Sequence, residues 1–105
     1  MLRLFRVRGR SMLPTLHDGD WVVGQRSAAQ TLRPGAIVCV QHRHAGWLIK
    51  RLGDQRDGHW RLDSDGQLGS ESLGRVPSAD IHYIARLVVG RQGLRWLYAA
   101  SASQP

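Results

Sequence analysis

Residues 8–20, which read RGRSMLPTLHDGD, form the stretch around which the rest of this chain is organised. Ser11 stands between small and flexible residues, and Pro14 fixes the backbone of the turn that follows it. A serine in a turn at the end of a strand can expose its hydroxyl without filling the core. The stretch therefore predicts a surface turn that presents Ser11 as a candidate nucleophile.

Lys50 is the second candidate residue, because it is the only lysine in a chain whose other fourteen basic residues are arginine. An arginine keeps its proton in proteins, whereas a lysine can lose it. If residues 47–52 form a strand, the period of two places Lys50 on the same face as the apolar Leu48 and Leu52.

Burial on that face disfavours the charged amine. We therefore expect a depressed pKa for Lys50; a fall from about 10.4 to about 7 would need roughly 4–5 kcal/mol of differential solvation. A neutral Lys50 beside Ser11 could take the hydroxyl proton, which would make a nucleophile and general base that needs no histidine. The alternative is a surface lysine whose stem lies on apolar neighbours and whose amine reaches water.

The length and composition of the chain predict one small, mostly β domain over residues 1–100, with a flexible tail at 101–105. Short apolar runs and twelve glycines favour strands and turns over helices. The strand at 81–89 has apolar residues on both faces and is predicted to be central. The interpretation includes a Pro-Gly turn at 34–35, a hairpin connection at 42–46, a turn at 53–58 and a loop at 63–74. The predicted strands cover residues 1–8, 20–26, 36–41, 47–52, 59–62 and 81–89, with a strand or short helix at 94–98.

GRSMLPTLHDGDWV at 9–22, followed by LIKRLGD at 48–54, resembles the serine and lysine boxes of type I signal peptidases, which are relatives of the LexA-type self-cleaving repressors. Lys50 follows Ser11 by 39 residues, a spacing that suits the compact members. Residues 62–65 and 70–77 are similar to a later box, although the Asp-Ser-Arg of the family is replaced by Glu71-Ser72-Leu73. The resemblance covers residues 5–89.

The resemblance implies a compact LexA/signal-peptidase-like domain of the β-barrel type and serine endopeptidase activity without a cofactor or metal. Ser11 would be the nucleophile and Lys50 the base. The oxyanion hole would rest mainly on backbone N–H groups, including that of Ser11. Three residues of the later box are candidates to support the amine. The implied site-shaping residues are Gly9, Arg10, Ser11, Met12 and Pro14, and the implied supporting residues are Ser70, Glu71 and Ser72.

The implied partner is a protein or peptide substrate bound as an extended strand, with small side chains near the cut. A chain of this length without an anchor is most similar, within the family, to the small proteases that remove the N-terminal propeptide of nickel-containing superoxide dismutase. No apolar run approaches the length of a membrane span, and the N-terminus does not read as a secretory signal. We therefore expect a cytoplasmic protein, with association at a membrane surface left open.

Parts of the sequence are also compatible with three other functions. The net charge of +7 suits a basic β domain that binds single-stranded nucleic acid, but the arginines are spread over the whole chain. A catalytically inactive peptide-binding relative would keep substrate affinity without turnover. Cys39 with His42 and His44 could form a metal or Cys-His site, but on a strand Cys39 faces away from both histidines.

Two further expectations concern single residue types. The lone cysteine excludes an intrachain disulfide and favours a reducing compartment. Asp63 and Asp65 are interpreted as solvated turn residues instead of a catalytic carboxylate pair, and Asp20 as a structural residue.

Overall fold

A computed structural model describes residues 1–66 and 73–97 of the chain. This part of the protein contains eight strands and two short 3-10 turns, at Ala29–Thr31 and Ser78–Asp80. Neither turn has the length and apolar character that a membrane crossing by a helix requires, and no other helix occurs in these residues. The strands are β1 Leu2–Arg6, β2 Trp21–Arg26, β3 Ile37–His42, β4 Gly46–Arg56, β5 His59–Asp63, β6 Arg75–Pro77, β7 Ile81–Gly90 and β8 Gly93–Trp96.

The strands form one antiparallel sheet in the order β1-β2-β7-β3-β4-β5-β6, and β8 pairs with β7. The prediction of a mostly β domain with little helix is confirmed. The last segment is a strand and not a helix, because Gly90 and Gly93 close a tight hairpin that returns β8 along β7. The predicted tail at 101–105 lies outside the described residues.

The predicted turn at 53–58 is wrong. β4 continues through Arg56, and the reversal occurs at Asp57 and Gly58, both of which have positive φ. Gly53 reads as a turn residue in the sequence, but it lies inside the strand. A Cβ at Gly53 would stand 2.6 Å from the guanidinium of Arg61, so the glycine makes room for a cross-strand side chain. The short strand β6, which pairs with β5, was also missed.

The core lies on both faces of the central strands. In β3, Ile37 and Cys39 join one buried cluster, whereas Val38 and Val40 join the other. β7 divides its buried residues between the same two clusters, as its central position predicts. Consecutive side chains on a strand point to opposite faces, so a strand covered on both sides is apolar at nearly every position.

The segment 8–20 around Ser11, called the serine turn, is attached to the core by its own apolar residues. Met12 and Leu16 are 2% and 0% exposed and pack in the cluster that contains Val7 and Val22. The amide of Leu16 donates to the carbonyl of Met12 at 2.9 Å, which closes the turn between them. The backbone that follows Ser11 is therefore held by burial, while Ser11 itself stays partly exposed.

Replacing Leu16 by alanine should destabilise the domain by about 3 kcal/mol, because the side chain is fully buried and its loss leaves a cavity. The matched control is Leu94→Ala, since Leu94 is 61% exposed and its truncation should change stability by no more than about 0.5 kcal/mol. Urea unfolding followed by tryptophan fluorescence measures both variants. Equal stabilities for the two variants would contradict the packing of the serine turn described above.

Candidate active site

A cavity of about 220 Å³ opens between the end of β1, the serine turn and the first half of β4. Ser11 and Lys50, which are far apart in sequence, both contribute to its wall. β4 pairs antiparallel with β3, and its residues from Trp47 to Lys50 contribute to the cavity wall. The cavity is lined by Arg6, Val7, Arg8, Ser11, Met12, Trp47, Leu48, Ile49 and Lys50.

Lys50 is buried, with 6% of its surface exposed. It lies opposite Val38, which is fully buried on the neighbouring strand. The alternative of a surface lysine is therefore wrong, and the period-two argument placed this residue correctly. Burying an amine costs free energy unless polar groups surround it.

Ser64 makes a hydrogen bond with the amine, with 2.9 Å between Lys50 Nζ and Ser64 Oγ. Sequence reasoning assigned this kind of support to Ser70, Glu71 or Ser72, and all three lie outside the described residues. The sequence could have indicated Ser64, because residues 62–65 open the later box and Ser64 is the only residue among them with a hydroxyl. No periodicity indicates which hydroxyl of a loop turns inward.

Asp65 joins the serine turn to the lysine strand. Its carboxylate accepts two hydrogen bonds from Arg51, at 2.7 and 2.6 Å, and one from Thr15 Oγ1 at 2.5 Å. The side chains of Asp65 and Arg51 are 14% and 16% exposed. The interpretation of Asp65 as a solvated turn residue is therefore wrong. Asp63 is 40% exposed and pairs with Arg61.

The pKa of Asp65 lies below its ordinary value. Burial acts in the opposite direction and would raise it, but the hydrogen bonds from Arg51 and Thr15 and the positive charge of Arg51 together outweigh burial. The carboxylate is therefore charged over the whole neutral range and keeps all three hydrogen bonds there.

Gly66 supports the serine turn directly. Its amide donates to the carbonyl of Ser11 at 2.8 Å. A Cβ at this position would stand 2.7 Å from the carbonyl oxygen of Arg10 and 3.3 Å from those of Ser11 and Leu13. Only a glycine allows the backbone after β5 to approach the turn this closely.

The family model of S24-like peptidases matches residues 2–88, which include the serine turn, β4 and most of β7. The chain belongs to this family. No curated protein sequence matches the chain with significance. Membership in the S24-like family indicates a serine-peptidase-like role, and it confirms the relation to LexA-type proteins that the serine and lysine boxes predicted.

In this S24-like domain the backbone N–H groups near Ser11 differ in whether they already have a hydrogen-bond acceptor. Gly9 has a φ of +83°, and its amide donates to the carboxylate of Asp18 at 2.7 Å, so it shapes the turn and its N–H is already used. Within the part of the chain that the structure describes, the N–H of Ser11 has no acceptor. The peptide between Leu13 and Pro14 is cis.

Arg10 and Met12 contribute to different surfaces. Met12 is buried and forms part of the cavity that contains Ser11 and Lys50. Arg10 is exposed and lines a second cavity, of about 400 Å³, together with His17, Asp18 and Arg91. Although this second cavity is larger, it contains neither Ser11 nor Lys50.

The rival site at Cys39 has no support in the S24-like domain. Burial raises the pKa of the Cys39 thiol to about 12, against a small lowering by the charge of Arg3. A thiol with that pKa stays protonated at neutral pH and is a poor nucleophile and metal ligand. No group of three potential metal ligands occurs within residues 1–66 and 73–97.

Replacing Asp65 by asparagine should lower the free energy of unfolding at pH 7 by about 2 kcal/mol, because a charged acceptor of three hydrogen bonds is lost. A carboxylate with a depressed folded pKa stabilises the fold above its unfolded pKa of about 3.9, and this contribution is lost as pH falls through the lower folded pKa. The stability difference between wild type and Asp65→Asn should therefore be constant at neutral pH and shrink in acid. Urea titrations at a series of pH values measure it.

Asp63→Asn is the matched control, because it removes the same charge from an exposed pair two residues away. It should cost less than about 1 kcal/mol. If Asp65→Asn cost no more than this control at pH 7, the ion pair would not hold the two parts of the site together.

Proposed function

We propose that this S24-like protein is a serine endopeptidase in which Ser11 is the nucleophile and Lys50 the general base. The observation that carries the proposal is that Ser11 and the one lysine of the chain, which is buried, line the same cavity. A buried amine held by a hydroxyl is suited to exchange a proton with a neighbouring alcohol.

In the proposed reaction, desolvation favours the neutral amine of Lys50, which removes the proton of Ser11. Ser11 Oγ then attacks the peptide carbonyl, and the N–H of Ser11 is the proposed donor to the developing oxyanion. The protonated Lys50 gives its proton to the leaving amine. A water deprotonated by Lys50 then hydrolyses the acyl-enzyme, which restores both residues.

The substrate is proposed to bind as an extended segment beside β1. This strand stands at one end of the sheet order, and the residues that continue it, Val7 and Arg8, form one wall of the cavity. An edge strand can add main-chain hydrogen bonds to a peptide. The apolar residues Leu48 and Ile49 also line the cavity, and its limited volume supports small side chains at the cut.

The proposed natural reaction is removal of the N-terminal propeptide from a nickel-containing superoxide dismutase precursor. Its support is the resemblance of the serine and lysine boxes to those of the small proteases with this task. The nickel belongs to the substrate, and the reaction at Ser11 needs no metal.

Wild type should cut such a precursor at one site, which intact mass identifies. Ser11→Ala, Lys50→Met and Lys50→Arg should each lower kcat/KM at least about a thousandfold, because each removes the nucleophile or the base. Arg56→Met is the matched control for Lys50→Met: it removes one positive charge at a side chain that is 74% exposed, and it should keep full activity.

Circular dichroism must show that each variant is folded. A folded Lys50→Arg variant that cuts as well as wild type would overturn the mechanism. If wild type leaves the precursor intact but cuts short extended peptides in a Ser11-dependent way, the peptidase stands and the proposed substrate is wrong. If wild type binds peptides without cutting any, the chain is an inactive relative.

The pH profile tests the base separately. Because only the neutral amine can accept the proton, kcat/KM should fall about tenfold per pH unit below the pKa of Lys50 and level off above it. The measurement uses a fluorogenic peptide from pH 5 upward, with circular dichroism over the same range to exclude unfolding. A profile that stays flat from acidic to neutral pH would rule out Lys50 as the base.

A further inference from the structure

One face of the sheet carries a row of apolar side chains that no other element covers within residues 1–66 and 73–97. Direct cross-strand pairing aligns Leu4 with Val23, Val23 with Leu87, and Leu87 with Trp96. Directly paired residues of antiparallel strands lie on the same face. Leu4 and Trp96, at the two ends of this row, are 60% and 63% exposed. The row therefore crosses all four strands from β1 to β8 on the outside of the domain.

A second row lies beside the first, displaced by two residues along each strand. It aligns Trp21 with Val89 and Val89 with Leu94. These three side chains are 41%, 40% and 61% exposed. The two rows together are called the outer apolar face. An apolar surface that is continuous over four strands is larger than the scattered exposed side chains of ordinary soluble domains and indicates a binding surface.

The charged side chains on the four strands of the outer apolar face, histidine apart, are all positive. The four strands that form it contain no aspartate or glutamate, and two of their arginines, Arg6 and Arg86, lie on or beside the face. The guanidinium of Arg6 lies 5.3 Å from the ring centroid of Trp21, so a positive charge borders the face itself. The ion-paired carboxylates Asp54, Asp63 and Asp65 belong to the other half of the sheet.

We propose that the outer apolar face binds the surface of an anionic lipid bilayer. Leucine and valine side chains can enter the boundary of the acyl chains, tryptophans suit the interface, and arginines attract acidic headgroups. A symmetric contact with a second copy would bring the arginine borders of both copies together, with no carboxylate on these strands to offset them. Single-stranded nucleic acid needs aromatic stacking platforms, whereas the centre of this face is aliphatic.

Vesicle co-sedimentation tests the proposal, with phosphatidylcholine vesicles compared with mixed phosphatidylcholine and phosphatidylglycerol vesicles. Wild type should bind the anionic vesicles at least about tenfold more tightly than the neutral ones, and its tryptophan emission should shift to the blue. The double variant Leu4→Thr/Trp96→Thr should lose about tenfold or more of the affinity. Arg6→Gln should lose about fivefold, whereas Arg56→Gln, at the far end of β4, should bind nearly as wild type.

Analytical ultracentrifugation without lipid and an oligonucleotide titration complete the experiment. Lack of vesicle binding, equal binding to both lipid mixtures, or unchanged binding by the double variant overturns the proposal. A dimer that the double variant dissociates would assign the face to a second copy instead. Oligonucleotide binding that the double variant loses, without vesicle binding, would assign it to nucleic acid. None of these outcomes depends on whether Ser11 is a nucleophile.

Discussion

The ion pair between Asp65 and Arg51 is the interaction on which the candidate site depends. Arg51 directly follows Lys50 on β4, and Asp65 directly follows Ser64. The ion pair therefore also fixes the position of the neighbouring contact between Lys50 and Ser64. The hydrogen bond from Thr15 to the same carboxylate brings in the serine turn. A bidentate pair between planar groups restricts both distance and orientation, which a single lysine contact would not do. The geometry around Ser11 and Lys50 is therefore set by residues that take no part in the proposed chemistry.

Burying the amine of Lys50 costs free energy, which other contacts in the domain must offset. Three features close to Lys50 reduce this free-energy cost. The strand before Lys50 is only partly buried, the hydroxyl of Ser64 contacts the amine, and the cavity leaves one side open. The same features serve the proposed function, since an amine that is neither fully solvated nor sealed in the core can gain and lose a proton. On the proposed assignment, the contacts that stabilise Lys50 would therefore also govern its reactivity.

Short-range patterns in the sequence predicted most of the fold. Period-two alternation found the central strands and the burial of Lys50, because alternation is imposed by the strand itself. The same reasoning failed at Gly53, where a glycine marks a close side-chain approach inside β4 and not a turn. It also failed at Asp65 and Ser64, whose polar side chains look like solvated loop residues until their partners are known. Those partners lie 14 and 50 residues away, and no local pattern encodes such a distance.

Three consecutive residues connect the parts of the site. Ser64 contacts the amine of Lys50, and Asp65 accepts hydrogen bonds from both Arg51 and Thr15. Gly66 donates to the carbonyl of Ser11. A segment of three residues thus closes a loop that joins the beginning and the middle of the chain. Closing such loops costs chain entropy that local contacts do not recover, so it belongs to the slow part of folding. On the proposed assignment, Ser11 and Lys50 therefore meet only when the domain is complete, so a partly folded chain would have no means of cutting its neighbours.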